Sequence, residues 1–330
     1  MRKELLFAIV AGGLFGLVIA FGIWRINSAL SPRKDASSQT ESKGPSDASI
    51  SIAKPSQNDV VGTSPVEVSG ITKPNARVVV PGEGKDYFTL ADSKGAFAQD
   101  VALVGGLNEI VVIAFDEKGS AGSVSLNIIY STEFAKPKTT PEPTTEASSD
   151  SIRKKVQEKV NEALNSPTAY LGTVTDIAES SIQLKSASGE IQQVGTQDIP
   201  TVIKDGKTAK TVKLTDIAIG DYIIAMGYKS GNQVINAQRI LITSPASPSK
   251  RTAIEGSITD TGKTSLSIET LGKESLSATV DANTIVYRLE QDRFTKIKFT
   301  SLGEGNLIVA AGVSPQGKLL ARTIFYLKSE

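Results

Sequence analysis

The sequence predicts a mainly β protein: an N-terminal transmembrane helix, a β-sandwich, one short linker helix and two tandem small antiparallel β-barrels. Three observations carry that expectation. Short β-branched runs separated by Gly, Pro, Asn and Asp turn signals fill residues 50–131. A second series of such runs occurs twice between residues 167 and 330, with its glycines in register. An uncharged apolar run at the start of the chain, beginning at Leu5 and ending at Trp24, has the length of a membrane span.

That first run predicts the anchor, residues 1–26. A spanning helix needs about 20 apolar residues, and a cleaved signal peptide has a shorter apolar stretch followed by a small-x-small site. Here Phe21, Ile23 and Trp24 occupy the far end, and the nearest small-residue candidate, Asn27-Ser28-Ala29, is a poor match. An uncleaved signal-anchor is therefore expected. Arg2 and Lys3 before the run and Arg25, Arg33 and Lys34 after it nearly balance the positive-inside rule. The short amino-terminal side and the Ser-rich segment beyond favour a cytoplasmic N-terminus with the bulk of the chain extracytoplasmic. Ala8, Gly12, Gly16 and Ala20 recur at every fourth position, a spacing that also permits a dimer face between anchor helices.

Composition removes several function classes. Lys+Arg 36 against Asp+Glu 35 leaves no field to attract nucleic acid. The absence of Cys removes disulfides, thiol nucleophiles and Cys-type zinc sites. The absence of His removes the commonest general base and metal ligand, so any enzyme would have to work through carboxylates, Lys or Tyr.

Residues 27–49 are polar and low in large apolar groups, which predicts a disordered spacer. The runs of residues 50–131 are broken by Thr72-Lys73-Pro74-Asn75, Asp92-Ser93-Lys94-Gly95, Gly105-Gly106-Leu107-Asn108 and Asp116-Glu117-Lys118-Gly119. In such turns Asp accepts backbone N–H groups and Gly takes the positive φ. The landmarks are Val68-Ser69-Gly70, Lys73-Pro74-Asn75-Ala76, Asp92 with Gly95 and Phe97, Leu103 with Gly106 to Ile110, and Ala114 with Asp116 and Gly119. In this order they resemble the immunoglobulin-like modules of bacterial surface proteins. The resemblance implies an Ig-like sandwich used as a stalk or binding module, and no chemistry.

Residues 132–150 form a Thr/Pro-rich linker, which proline keeps extended. Over residues 151–166, Ile152, Val156, Val160 and Leu164 fall on one helical face, and Pro167 ends the pattern. That stripe is expected to pack on the next domain; a short coiled-coil contact is the alternative.

The repeat follows, as residues 167–243 and 250–330. Gly172, Gly220 and Gly227 in the first copy answer Gly256, Gly305 and Gly312 in the second, and Ile240 answers Ile324. Ser181-Ile182-Gln183-Leu184 and Ser265-Leu266-Ser267-Ile268 both alternate with period two. Small sheets of this kind commonly close into barrels, which removes exposed edges. The opening Gly-x-Val/Ile, the Gly-Asp or Gly-Asn before a strand ending in Gly, and the closing Ala-x-x-Ile are similar to a bacterial envelope family of small β-barrel repeats of unknown function. The second copy has Asn306 where that family usually has Asp, which weakens any role for the acid.

Chemistry-bearing candidates are few. Gly206-Lys207-Thr208 and Gly262-Lys263-Thr264 lack the earlier Gly and the following helix of a phosphate loop, and read as hairpin turns. Asp92, Asp116 and Glu117 offer too few oxygens for calcium and are explained as turn residues. Arg293, Lys296 and Lys298 beside Phe294 and Phe299 sit with Glu290 and Asp292, which predicts a solvated strand face rather than a nucleic-acid platform. No catalytic, cofactor-binding or metal residue is assigned. The expectation is a membrane-anchored, extracytoplasmic structural or interaction protein of the bacterial cell envelope, without catalysis. The alternative is an adhesin-like surface module for glycan or peptide ligands. The expected partners are the lipid bilayer through the run from Leu5 to Trp24, and another envelope protein or cell-wall polymer. A homodimer through the anchor helix is a further possibility.

Overall fold

The computed structural model describes residues 49–135 and 166–327, apart from 199, 206–208, 231–232, 246, 248–249, 291–292 and 316. All of these belong to one compact unit, Lys43–Glu330.

The first eight strands are β1 (Ser51–Lys54), β2 (Val60–Val61), β3 (Val66–Ile71), β4 (Arg77–Pro81), β5 (Asp86–Leu90), β6 (Ala96–Val101), β7 (Gly106–Phe115) and β8 (Ala121–Tyr130). They form a three-stranded sheet, β1-β3-β6, facing a five-stranded sheet, β2-β8-β7-β4-β5. Successive strand side chains point to opposite faces. Val78, Val80, Ile110, Val112, Ala114, Leu126 and Ile128 therefore enter the space between the sheets, where they meet Val68, Phe97 and Val101. The turns work as the residue types dictate. One carboxylate oxygen of Asp92 accepts the N–H groups of Lys94 and Ala96 at 2.8 and 2.9 Å, and Gly95 takes φ 83°.

The first repeat copy comprises β9 (Thr168–Ala178), β10 (Ser181–Lys185), β11 (Ile191–Gly195), β12 (Thr201–Lys204), β13 (Lys210–Val212), β14 (Tyr222–Lys229) and β15 (Ile235–Thr243). The second comprises β16 (Arg251–Thr261), β17 (Ser265–Glu269), β18 (Ser275–Thr279), β19 (Ile285–Glu290), β20 (Arg293–Ile297), β21 (Leu307–Val313) and β22 (Leu319–Leu327). The strand orders are β11-β10-β9-β14-β15-β12-β13 and β18-β17-β16-β21-β22-β19-β20, the same order in chain terms. Parallel pairing of Val194 with Ile235, and of Ala278 with Leu319, closes five strands of each copy into a barrel. The cores correspond position by position: Val174, Ile182, Leu184, Ile223, Ala225 and Ile240 in one, and Ile258, Leu266, Ile268, Ile308, Ala310 and Ile324 in the other.

Two glycines hold this register. The pairing slips between Met226 and Gly227 in one copy and between Ala311 and Gly312 in the other. A Cβ on Gly227 would lie 1.9 Å from the Asn236 carbonyl oxygen, and one on Gly312 2.0 Å from that of Leu320, so no larger residue fits either bulge. The acid that distinguishes the copies is a turn cap in both. Asp221 accepts the Ala218 N–H at 2.9 Å, and the Asn306 amide oxygen accepts the Gly303 N–H at 3.0 Å.

The expected fold class needs correction. The described chain is mainly β, and its helical elements are three short 3-10 turns. Among the described residues no helix is long and apolar enough to cross a membrane. Apolar runs such as Ile110 to Phe115 are spent in sheets and fall well short of the about 20 residues a span requires. The run from Leu5 to Trp24, residues 27–48 of the spacer, residues 136–150 of the linker and the helix expected over 151–166 (up to 165) lie outside the described residues. The single-pass membrane localisation, with its cytoplasmic N-terminus, is accordingly withdrawn, and the anchor-helix dimer falls on residues outside those described.

Candidate binding cleft at the docking faces

The outer face of the five-stranded sheet is apolar as well as the inner one. Val79, Phe88, Val111, Ile113 and Phe115 on that face pack against Val309, Ala311, Phe325 and Leu327 of the second barrel. Nearer the other end of the sheet, Val60, Ile129 and Leu107 pack against Ala169, Leu171, Ile224 and Met226 of the first barrel. Ile224 and Met226 occupy the positions of Val309 and Ala311, and Leu241 that of Phe325. Both copies thus present the same sheet face to the sandwich. Phe134, in the 3-10 turn that follows β8, is buried at the first junction with its ring 6.2 Å from that of Tyr228.

The second junction is packed with aromatic rings. Phe325 sits among Phe88, Tyr287 and Phe294 with ring centroids 5.3 to 6.1 Å away. Its rim holds buried charge. Arg77 grips Glu255 with two bonds of 2.6 and 2.7 Å, and Arg322 grips Asp86 while donating to the carbonyls of Gly82 and Glu83. Burial pushes the Glu255 carboxyl above the usual range, against the pull of Arg77.

The first junction is open. Its contacts include backbone bonds: Val60 N–H donates to the Pro167 carbonyl at 3.1 Å, and Ala169 N–H to the Asn58 carbonyl at 2.9 Å. Beside them lies a cleft of about 500 Å³, walled mainly by polar groups, including Asn58, Tyr170, Glu190, Gln192, Lys229 and Gln233. Asn58 and Gln233 hold left-handed φ values of 65° and 61°, each at a turn that places it on the wall. The Tyr170 hydroxyl donates to the Gln233 carbonyl, and the Lys229 ammonium lies 6.0 Å from the Tyr170 ring centre. Burial, then the nearby Glu190 charge, raise the Tyr170 pKa. Burial also raises that of neighbouring Asp59, against the Ser56 N–H and Lys229. The side-chain oxygens of Asn58 and Gln192 are buried without a hydrogen-bond partner.

The residues singled out from sequence lie elsewhere; Asp92 and Glu117 meet through Asn75 at one end of the sandwich, without a group of three or more acids that could hold a metal among the described residues. Asp92 is a turn cap. Asp116 accepts the N–H groups of Lys118 and Ser120 and the Lys73 ammonium, and Glu117 accepts from Asn75. Burial opposes ionisation of Asp116, but those donors together hold its pKa below the usual range. Gly262 closes a turn onto the Ser265 carbonyl at 2.9 Å, whereas Gly206-Lys207-Thr208 lies outside the described residues. Phe294 sets its ring edge-on against Phe88 while staying 38% exposed, and Phe299 packs against the second barrel's core, so the basic strand presents one aromatic ring rather than a row of them. Sequence reasoning missed the cleft because its amides come from both modules. Its signal was the polar run Glu190, Gln192 and Gln193 around the exposed Ile191.

No family model matches the chain, and no curated protein matches it. Among solved structures, a Ca2+-stabilised adhesin with which an Antarctic bacterium binds ice is similar at 17% identity, covering 88% of this chain and 75% of that one, with a TM-score of 0.19. A Bacteroides ovatus mixed-linkage glucan utilisation protein, SGBP-B, solved with a mixed-linkage heptasaccharide, is similar at 11% identity, covering 85% and 70%, with a TM-score of 0.20.

Proposed function

We propose that this protein is a non-catalytic surface binding module, in which the sandwich is a hub and the first barrel completes its binding face. The observation that carries this reading is the polar cleft of about 500 Å³ at the first junction, a size that suits a ligand site. Its wall combines amides, the hydroxyls of Thr168 and Tyr170, and one charge of each sign. It holds neither a carboxylate pair nor a base beside a nucleophile, the pairings that hydrolytic and transfer chemistry require. The likeness of residues 50–130 to immunoglobulin-like modules of surface proteins supports the same reading. The ligand is a polar polymer, a glycan or a peptide segment.

Retention of the purified chain on insoluble polysaccharides and on peptide-coupled resin tests this. Saturable retention on either supports it. Passage through all of them at the rate of an inert protein of equal size overturns it.

A further inference from the structure

We infer that the junction cleft holds an uncharged oligosaccharide strand, gripped chiefly by the amides of Asn58, Gln192 and Gln233. This deepens the binding-module reading and rests on it.

The chemistry of the wall selects the ligand. The unpaired oxygens of Asn58 and Gln192 belong to residues that line the cleft. A buried acceptor without a donor costs about 1–3 kcal/mol, so native chains leave few of them. Both oxygens are themselves buried, so a donor entering the cleft reaches them only once the amide rotates toward it. Each amide also carries two N–H donors beside its oxygen. Neighbouring sugar hydroxyls, which donate and accept in turn, match that pairing.

Charge argues for a neutral strand. Glu190 and Lys229 stand on the wall with opposite signs. For a polyanion the attraction of Lys229 is offset by the repulsion of Glu190, and for a polycation the reverse holds, so neither gains a net field. The wall is poor in apolar recesses for peptide side chains, since its aliphatic members are Ala169, Ile191 and Val234. Aromatic stacking is not the grip either, because the Tyr170 hydroxyl is committed to Gln233 and the Lys229 ammonium stands over its ring. Backbone bonds across the junction hold the two walls at fixed separation, which lowers the ordering cost of binding.

Titration calorimetry on the full chain decides this. The probes are cellohexaose, laminarihexaose and chitohexaose, with hexagalacturonate and a Ser/Thr-rich peptide as contrasts. At least one neutral hexasaccharide is expected to bind. Gln192→Leu should weaken it by about tenfold or more. The melting temperature should not fall, because that change removes the unpaired acceptor instead of a partner. Gln233→Ala should weaken binding as well. Binding that both variants leave unchanged overturns the cleft assignment while the binding-module reading stands. Binding confined to hexagalacturonate or to the peptide overturns the ligand class and again leaves that reading standing. No binding to any probe overturns the inference, and the resin assay then decides the reading beneath it.

Discussion

The two barrels share strand order, core positions and bulge glycines, and they turn the same face to the same sheet, yet their junctions differ in kind. Leu171 of the first barrel occupies the position of Glu255 in the second. At the first junction this site is aliphatic, and the sandwich meets it with Val60 and Ile129. At the second it is a buried carboxylate, and the sandwich supplies Arg77. Leu241 and Phe325 form a second such pair, the latter inside a four-ring cluster. One docking geometry thus accommodates an aromatic, ion-clamped contact and an aliphatic one beside a polar cleft. Duplication provided the shared face, and a few side chains decide what each junction can do.

The largest expected effect is at the clamp. Arg77→Met leaves Glu255 buried without its partner and should cost about 3–5 kcal/mol, read by denaturant unfolding. Converting the second junction to the first's chemistry, with Arg77→Met and Glu255→Leu together, should recover most of that loss. A double variant as unstable as the single one would show that the ion pair is not interchangeable with an aliphatic contact.

Next comes the apolar part of the first junction. Met226 is 2% exposed and packs toward Ile129 and Phe134. Met226→Ala should cost about 2–4 kcal/mol. A loss below about 0.5 kcal/mol would mean that the face is not buried in solution.

The clamp should also carry a pH signature. Burial holds the folded pKa of Glu255 above its ordinary value, so its ionisation at neutral pH is a net cost of folding. That contribution to stability is full below the ordinary carboxylate value of about 4.3 and lost as pH rises through the folded pKa. Wild type should gain stability relative to Glu255→Gln as pH falls from 7 toward that value. The opposite slope would contradict the assignment.

The smallest effect is expected at the first junction's exposed ion pair. Glu133, about half exposed, pairs with Arg239. Glu133→Ala should change stability by less than about 1 kcal/mol, since solvent and side-chain entropy offset most of such a contact.

The mainly β character was legible in the turn signals, and Asp92, Asp116, Gly95 and Gly119 take the turn roles their residue types imply. The barrel strands that face solvent on one side read as alternation, as in Ser181-Ile182-Gln183-Leu184. The docking was written in the same sequence in another form. Val78-Val79-Val80, Ile110 to Phe115, Ile223 to Met226 and Ile308 to Ala311 are unbroken apolar runs, the mark of strands buried on both faces. Taking each run as a barrel or sandwich core strand explains only half of its side chains. The other half belongs to the junctions. The cleft was less legible still, because a surface Gln or Asn carries no periodic signal, and its wall is assembled only once Asn58 and Gln192 are brought together by docking.

The central claim is that the barrels are docked on the sandwich as one unit and are not separate beads. Native-state hydrogen exchange at two amides tests it most directly. Val60 and Ala169 each donate across the first junction, to Pro167 and Asn58. If docking persists in solution, both should exchange about as slowly as the core amides of β14, within roughly a factor of ten. If Val60 and Ala169 exchange at the rate of free loop amides while β14 stays protected, the barrel folds but does not dock, and the account fails.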